Sequence, residues 1–183
     1  MFNSYLDRCR NKMSETLEFL KRDIDSISTG RATPNLLDPV KVELYGSLMP
    51  LNQLSSISVP DATTLAIQVW DNSSIKAIEK AIIDSNLGFS PAVDGSILRI
   101  KIPKLSQERR QEMVKLAKKY GEDKKVSVRN IRRDIIDSFK KEEGDSSKDS
   151  VHSFTDAVQK VTDDFVAKID EIVAKKEKDL MSI

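Results

Sequence analysis

Cysteine is nearly absent from this sequence of 183 residues: Cys9 is the only one. An internal disulfide is therefore excluded, and the composition suits a reducing compartment. Histidine also occurs once, as His152. No Cys/His metal spacing can be assembled, and no Walker loop or strand-linked GxGxxG occurs. Aromatic residues make up 5% of the chain, too few for a large aromatic core or a base-stacking platform. No segment approaches the roughly 18 consecutive apolar residues of a bilayer span. The opening stretch "MFNSYLDRCRNKMSETLEFLKRDID" carries acids throughout and lacks a long apolar run, unlike a signal or transit peptide. A soluble, cytoplasmic protein without a membrane partner is expected. Net charge is only +1, which by itself points to no partner.

Charged residues are abundant at 32%, against 39% hydrophobic, a balance that leans toward long helices with charged outer faces. The near-neutral total hides an uneven distribution. From Lys101 to Lys141 there are 14 Lys or Arg against 6 Asp or Glu, whereas the segment from Glu142 onward has 6 against 11. Basic charge is concentrated on one stretch, as in an electrostatic footprint.

Helical periodicity is plain over residues 3–28, where Tyr5, Leu6, Cys9, Met13, Leu17, Leu20, Ile24 and Ile27 recur at three- and four-residue intervals. Gly30 is expected as the left-handed residue that closes this helix, and Pro34 prevents its resumption. Strand-like runs follow at 40–44, 54–59 and 64–70, with "YGS" as turn material after the first. "DNSSIKAIEKAIIDSNLG" reads as a short helix capped by Ser73 or Ser74, with Ile75, Ile78 and Ile82 inward and Gly88 beyond its end. "DGSILRIKIP" gives an Asp-Gly turn and a strand with Leu98, Ile100 and Ile102 on one face and Arg99 and Lys101 on the other.

Ser106 is the expected cap of a second long helix through Met113, Leu116, Ala117, Tyr120, Val128, Ile131, Ile135 and Phe139, with Gly121 a weak point in the pattern. "EEGDSSKDS" (142–150) is polar turn material, and a third helix starts near Val151, with Phe154, Val158, Val161, Phe165, Ile169, Ile172, Val173 and Leu180 inward. Three long helices, each with one apolar stripe, are most simply buried as a bundle. The expected fold is α+β: a long three-helix bundle of residues 1–29 and 106–183, with a small β/α/β module at 30–105 inserted between its first and second helices. Two segments join the parts, Thr29, Gly30 and Arg31 on one side and Pro103, Lys104 and Leu105 on the other, a two-strand hinge.

Enzymatic readings fail for want of groups. Cys9 lies on an apolar stripe as a small core residue. His152 sits in polar company at a helix start, and the adjacent Asp163 and Asp164 diverge by about 100° on a helix. Neither a catalytic residue nor a metal site is expected, nor any cofactor, which leaves binding.

"KKVSVRNIRRDIID" (124–137) carries the densest basic feature. Val128, Ile131 and Ile135 form its apolar stripe, while Arg129, Arg132 and Arg133 lie about 120° away on the wheel. Asp134 and Asp137 fall on the other side, leaving few carboxylates to neutralise the cluster. Taken alone, such a face is most simply a solvated helix surface with occasional salt bridges. Arg109 and Arg110 at the start of the same helix, about 30 Å away at 1.5 Å per residue, and Arg31 at the hinge extend it into a track. Arginine's planar fork grips phosphate oxygens in pairs, so the track suits extended RNA. A coiled-coil scaffold protein with a protein-binding insert is the competing reading, and it predicts a stable homo-oligomer.

"STGRATPNLLD" (28–38), "LSQERRQEMVKLAKKYGEDKKVSVRNIRRD" (105–134) and "KKEKDLM" (175–181), with the order helix, inserted module, helix, helix, resemble ribosome recycling factor over essentially the whole chain. The resemblance implies an L-shaped monomer close in size to tRNA. It also implies that the factor acts on the 70S ribosome with elongation factor G and GTP to separate the subunits. The arginines matching Arg31, Arg110, Arg129, Arg132 and Arg133 would then face large-subunit ribosomal RNA. One departure stands out: many members read "RTGR" where this chain has "STGR", so Ser28 replaces a basic residue.

Overall fold

The computed structural model describes residues 1–144 and 148–182, so the middle of the turn expected at 142–150 lies outside the described residues. The chain divides into two compact units, Met1–Thr29 with Ser106–Ile183, and Gly30–Leu105.

The first unit holds α1 (Phe2–Asp25), α3 (Gln107–Glu143) and α4 (Lys148–Met181), each packed against the other two. At 24, 37 and 34 residues, these helices are held by their buried stripes rather than by propensity. Leu6, Cys9, Met13, Leu17, Leu20 and Ile24 face inward from α1, and Val128, Ile135, Ile136 and Phe139 from α3. Phe154, Val158, Val161, Phe165, Ile169 and Leu180 complete the core from α4.

Ion pairs and rings give the directions. Lys124 of α3 meets Asp23 at 3.4 Å and the Tyr5 hydroxyl donates to Glu142, so α1 and α3 run antiparallel. Lys125 meets Asp170 at 2.5 Å and Lys118 meets Glu177 at 3.3 Å, so α3 and α4 do likewise. The Asp170 carboxylate, first among the groups around it, holds the Lys125 ammonium above its ordinary pKa. At the opposite end from Lys118, Phe139 and Phe154 stack at 3.9 Å with an interplanar angle of 17°, and the rings of Phe2 and Tyr5 stand edge-on to both.

Three sequence expectations are corrected here. The first helix stops at Asp25, where Ser26 keeps a right-handed conformation and its hydroxyl donates to the Asp23 carbonyl. Gly30 does have φ +72°, but well beyond the helix end, so it is not the helix cap. The last helix begins at Lys148, three residues before Val151. Gly121, read as a weak point, is a contact: a Cβ there would stand 2.6 Å from Val173 Cγ2, so its absence lets α3 and α4 approach closely. Gly121→Ala gains up to about 1 kcal/mol of helix propensity and loses about 1–3 kcal/mol to overpacking. We expect a lowered urea midpoint for the bundle, recovered when Val173→Ala is added. Recovery by the double variant is the signature that separates this contact from a general loss.

The second unit contains two sheets. β1 (Lys41–Leu44) and β2 (Ser47–Pro50) form an antiparallel hairpin whose turn places Tyr45 at φ 51° and Gly46 at φ 78°. β3 (Ser55–Asp61), β4 (Thr64–Val69), β5 (Ala92–Asp94) and β6 (Ile97–Lys101) form an antiparallel sheet in the order β3-β4-β6-β5. Leu65 opposite Ile100 and Ile67 opposite Leu98 line one face, and they share a core with Ile78 and Ile82 of α2 (Ile75–Asp84). Ser74 holds the N-cap position of the short helix, as expected, but its side chain makes no capping bond there. A 3₁₀ turn, Asn72–Ser74, precedes α2, and the Asp71 carboxylate accepts from the backbone N–H of Ser73 at 3.0 Å. That bond, with a second from the Ser73 hydroxyl, holds the Asp71 carboxyl below its ordinary pKa. The segments entering and leaving the unit run side by side, since a Cβ on Gly30 would lie 3.2 Å from Leu105 Cγ and 3.3 Å from its backbone nitrogen.

Candidate nucleic-acid interface

α3 starts where Ser106 accepts the Arg109 backbone N–H on its hydroxyl at 3.1 Å. Farther along, Val128, Ile135 and Ile136 are buried and fix the rotation of the helix about its axis. That rotation leaves Arg129 and Arg133 exposed and Arg132 half-buried. Arg132 lies nearest the core, with its stem packed and its Nε buried without a hydrogen-bond partner among the described residues, so its terminal nitrogens carry the polar capacity.

The three guanidinium groups border a shallow groove of about 310 Å³ shared with Asn130, Ile136 and Asp137. Arg133 Nη2 donates to Asn130 Oδ1 at 2.8 Å, which fixes one of the forks. Among the described residues, no carboxylate comes within ion-pair distance of Arg129, Arg132 or Arg133. Other cations of α3 behave differently: Lys118, Lys124 and Lys125 hold acids of α4 and α1, and Lys125 also meets Glu122 at 3.2 Å. The salt-bridged surface that would make this cluster ordinary is absent where the arginines are densest.

The remaining track residues divide. Arg109 is exposed, but Glu112 takes its guanidinium at 2.8 Å, so its charge is already matched. Arg110 is half-buried, about 33 Å along the helix axis from Arg132 at 1.5 Å per residue. Arg31 belongs to the other unit and is exposed. The structure thus gathers Arg129, Arg132 and Arg133 into one groove and leaves Arg109 and Arg110 outside it. Asp137 is a correction of the wheel reading, because it lines the same groove as the arginines. Asn130 was overlooked in the sequence, although its three-residue offset from Arg133 is the spacing at which helix side chains meet.

The other polar candidates are not assembled for chemistry. Cys9 is fully buried, and burial raises its thiol pKa. His152 is exposed, its Nε2 3.8 Å from an Asp156 oxygen. Among the described residues, no three His, Cys, Asp or Glu side chains gather as a metal site requires, and no helix is long and apolar enough to cross a membrane.

The profile of the family described as Ribosome recycling factor matches residues 20–181. The chain belongs to the ribosome recycling factor family. The ribosome-recycling factor of Bradyrhizobium diazoefficiens is 48% identical over 183 residues, covering 99% of this chain and 97% of that one. A solution structure of ribosome recycling factor superposes with a TM-score of 0.82 at 37% identity, covering 100% of this chain and 98% of the other. A second structure has a TM-score of 0.66 at 41% identity and covers 99% of each chain. It describes the T. thermophilus ribosome recycling factor and E. coli elongation factor G bound to the E. coli post-termination complex.

Proposed function

We infer that this protein is a translation factor that binds the post-termination 70S ribosome and, with elongation factor G and GTP, splits it into subunits for recycling. Family membership supports the assignment, together with a relative described on that complex beside elongation factor G. The observation that carries the site is the set of three arginines without a carboxylate partner among the described residues, held on α3 by Val128, Ile135 and Ile136. Arg129, Arg132 and Arg133 are its centre, and they grip large-subunit ribosomal RNA. Arg110 and Arg31 extend the contact. Arg109 contributes once RNA phosphate competes with Glu112 for its guanidinium.

The protein acts in the cytoplasm, as a monomer, without a catalytic group, metal or cofactor of its own, because the nucleotide chemistry belongs to its partner. Thr29, Gly30 and Arg31 with Pro103, Lys104 and Leu105 serve as the hinge. The helices flanking the two segments end at Asp25 and begin at Gln107, so these segments have no helical ladder to stiffen them.

The test combines sedimentation with purified ribosomes and a subunit-splitting assay containing elongation factor G and GTP. Wild-type protein should co-sediment with ribosomes and release free subunits. Arg132→Ala should bind roughly tenfold more weakly, the loss of one charge-assisted contact of about 1.5 kcal/mol, with unchanged helix content. A stable homo-oligomer with no affinity for ribosomes would replace this reading with the scaffold one.

A further inference from the structure

Asp137 is an anomaly in the arginine groove. A surface built only to hold phosphate gains nothing from a carboxylate, which repels the polyanion and competes for the guanidinium groups. A structural acid would be expected to pair with the cations beside it, and Arg133 stands one turn away at the i,i+4 spacing. Asp137 makes no such pair: among the described residues no cation comes within ion-pair distance of it, although three arginines share its groove. The groove therefore presents two kinds of unmet capacity, guanidinium donors and a carboxylate acceptor. Asn130 adds a fixed element, its Oδ1 already engaged by Arg133. Ile136, itself largely buried, supplies an apolar part of the lining.

We propose that Asp137 is a specificity-determining residue of the RNA site: its carboxylate accepts a hydrogen bond from a donor that RNA carries beside its phosphates, a ribose 2′-hydroxyl or the N–H edge of a base. The arginines take the phosphates of one or two nucleotides, and Asp137 reads the neighbouring donor, so the groove discriminates a nucleotide of defined geometry from a featureless polyanion. This inference rests on the assignment of the arginine groove to ribosomal RNA.

The sign of one substitution tests it. If Asp137 is merely a tolerated acid, Asp137→Ala removes repulsion and tightens binding to purified large ribosomal subunits. If it accepts a bond from RNA, the same change weakens binding, by roughly tenfold for a lost bond to a charged group. Asp137→Asn, which keeps a carbonyl acceptor, should lose less than alanine does. Both side chains lie outside the buried stripe, so helix content should stay at the wild-type value. Kethoxal, which reads the N1/N2 edge of guanine, and a 2′-hydroxyl acylating reagent identify the donor. The proposal requires protection that depends on Asp137 in one of the two patterns. Tighter or unchanged binding by Asp137→Ala overturns the proposal. Undiminished binding by Arg132→Ala in the same assay overturns the arginine assignment instead, so the two failures are told apart.

Discussion

Replacing Arg129, Arg132 and Arg133 together with alanine should lower affinity for large ribosomal subunits by at least about a hundredfold, with the helix bundle intact. Each charge-assisted hydrogen bond contributes about 1.5–3 kcal/mol, so even strongly non-additive losses exceed about 3 kcal/mol. The dependence of log affinity on log salt should flatten by about 0.7–0.9 units for each phosphate contact removed, a total of about two units or more. Replacing the same three residues with lysine separates charge from geometry. Lysine restores most of the salt slope but not the affinity, because a rotating ammonium cannot reproduce the bidentate fork. The fold should survive both sets, since the guanidinium groups lie outside the stripe formed by Val128, Ile135 and Ile136. Equal affinity and slope for wild type and the alanine variant would remove the groove from the binding surface.

The second large effect concerns stability. Phe139→Ala should destabilise the bundle by about 3–5 kcal/mol, as expected for deleting a buried aromatic ring. Phe139 is 1% exposed and stacks on Phe154, with Phe2 and Tyr5 edge-on, so one truncation removes the centre of a four-ring cluster. Far-UV circular dichroism, dominated by the three long helices, should show an earlier urea transition. Trp70, 63% exposed in the other unit, gives a separate fluorescence signal. Its transition should stay near the wild-type midpoint, because Phe139 has no part in the core around Leu65, Ile67, Ile78 and Leu98. A common shift of both signals would mean that the two cores unfold as one.

The helices were legible because their apolar residues repeat over many turns, so an error at one position costs little. Leu6, Cys9, Met13, Leu17, Leu20 and Ile24 are buried as their spacing requires. Short elements without a period were harder. β2 contains Leu, Met and Pro with no alternation, and β5 has only three residues, so each is defined by pairing with its neighbour across a tight turn rather than by a pattern of its own. At the start of α2, Ser74 holds the cap position that a hydroxyl beside the apolar stripe suggests, whereas the side-chain bond to a backbone N–H comes from Asp71, ahead of the intervening 3₁₀ turn. Gly121 resembled a defect because its reason, Val173, lies on another helix.

At the candidate site, residue types and helical faces were readable, but pairing was not. Glu112 lies three residues from Arg109 and engages it, while Asp137 lies four from Arg133 and does not. Spacing offers a partner; the rotamers and the surrounding charges decide whether it is taken.

The closeness of Gly30 and Leu105 also bears on the order in which this chain acquires its structure. For α1 to meet α3, the 76 residues from Gly30 to Leu105 must first be closed into a loop. Closing so long a flexible loop costs about 2 kcal/mol more chain entropy than closing one of a few residues. Once the module has folded, its two ends are already together, and α1 sees α3 across what is in effect a short connection. The insert thereby acts as an internal clasp: its own folding prepays the closure on which assembly of the bundle depends.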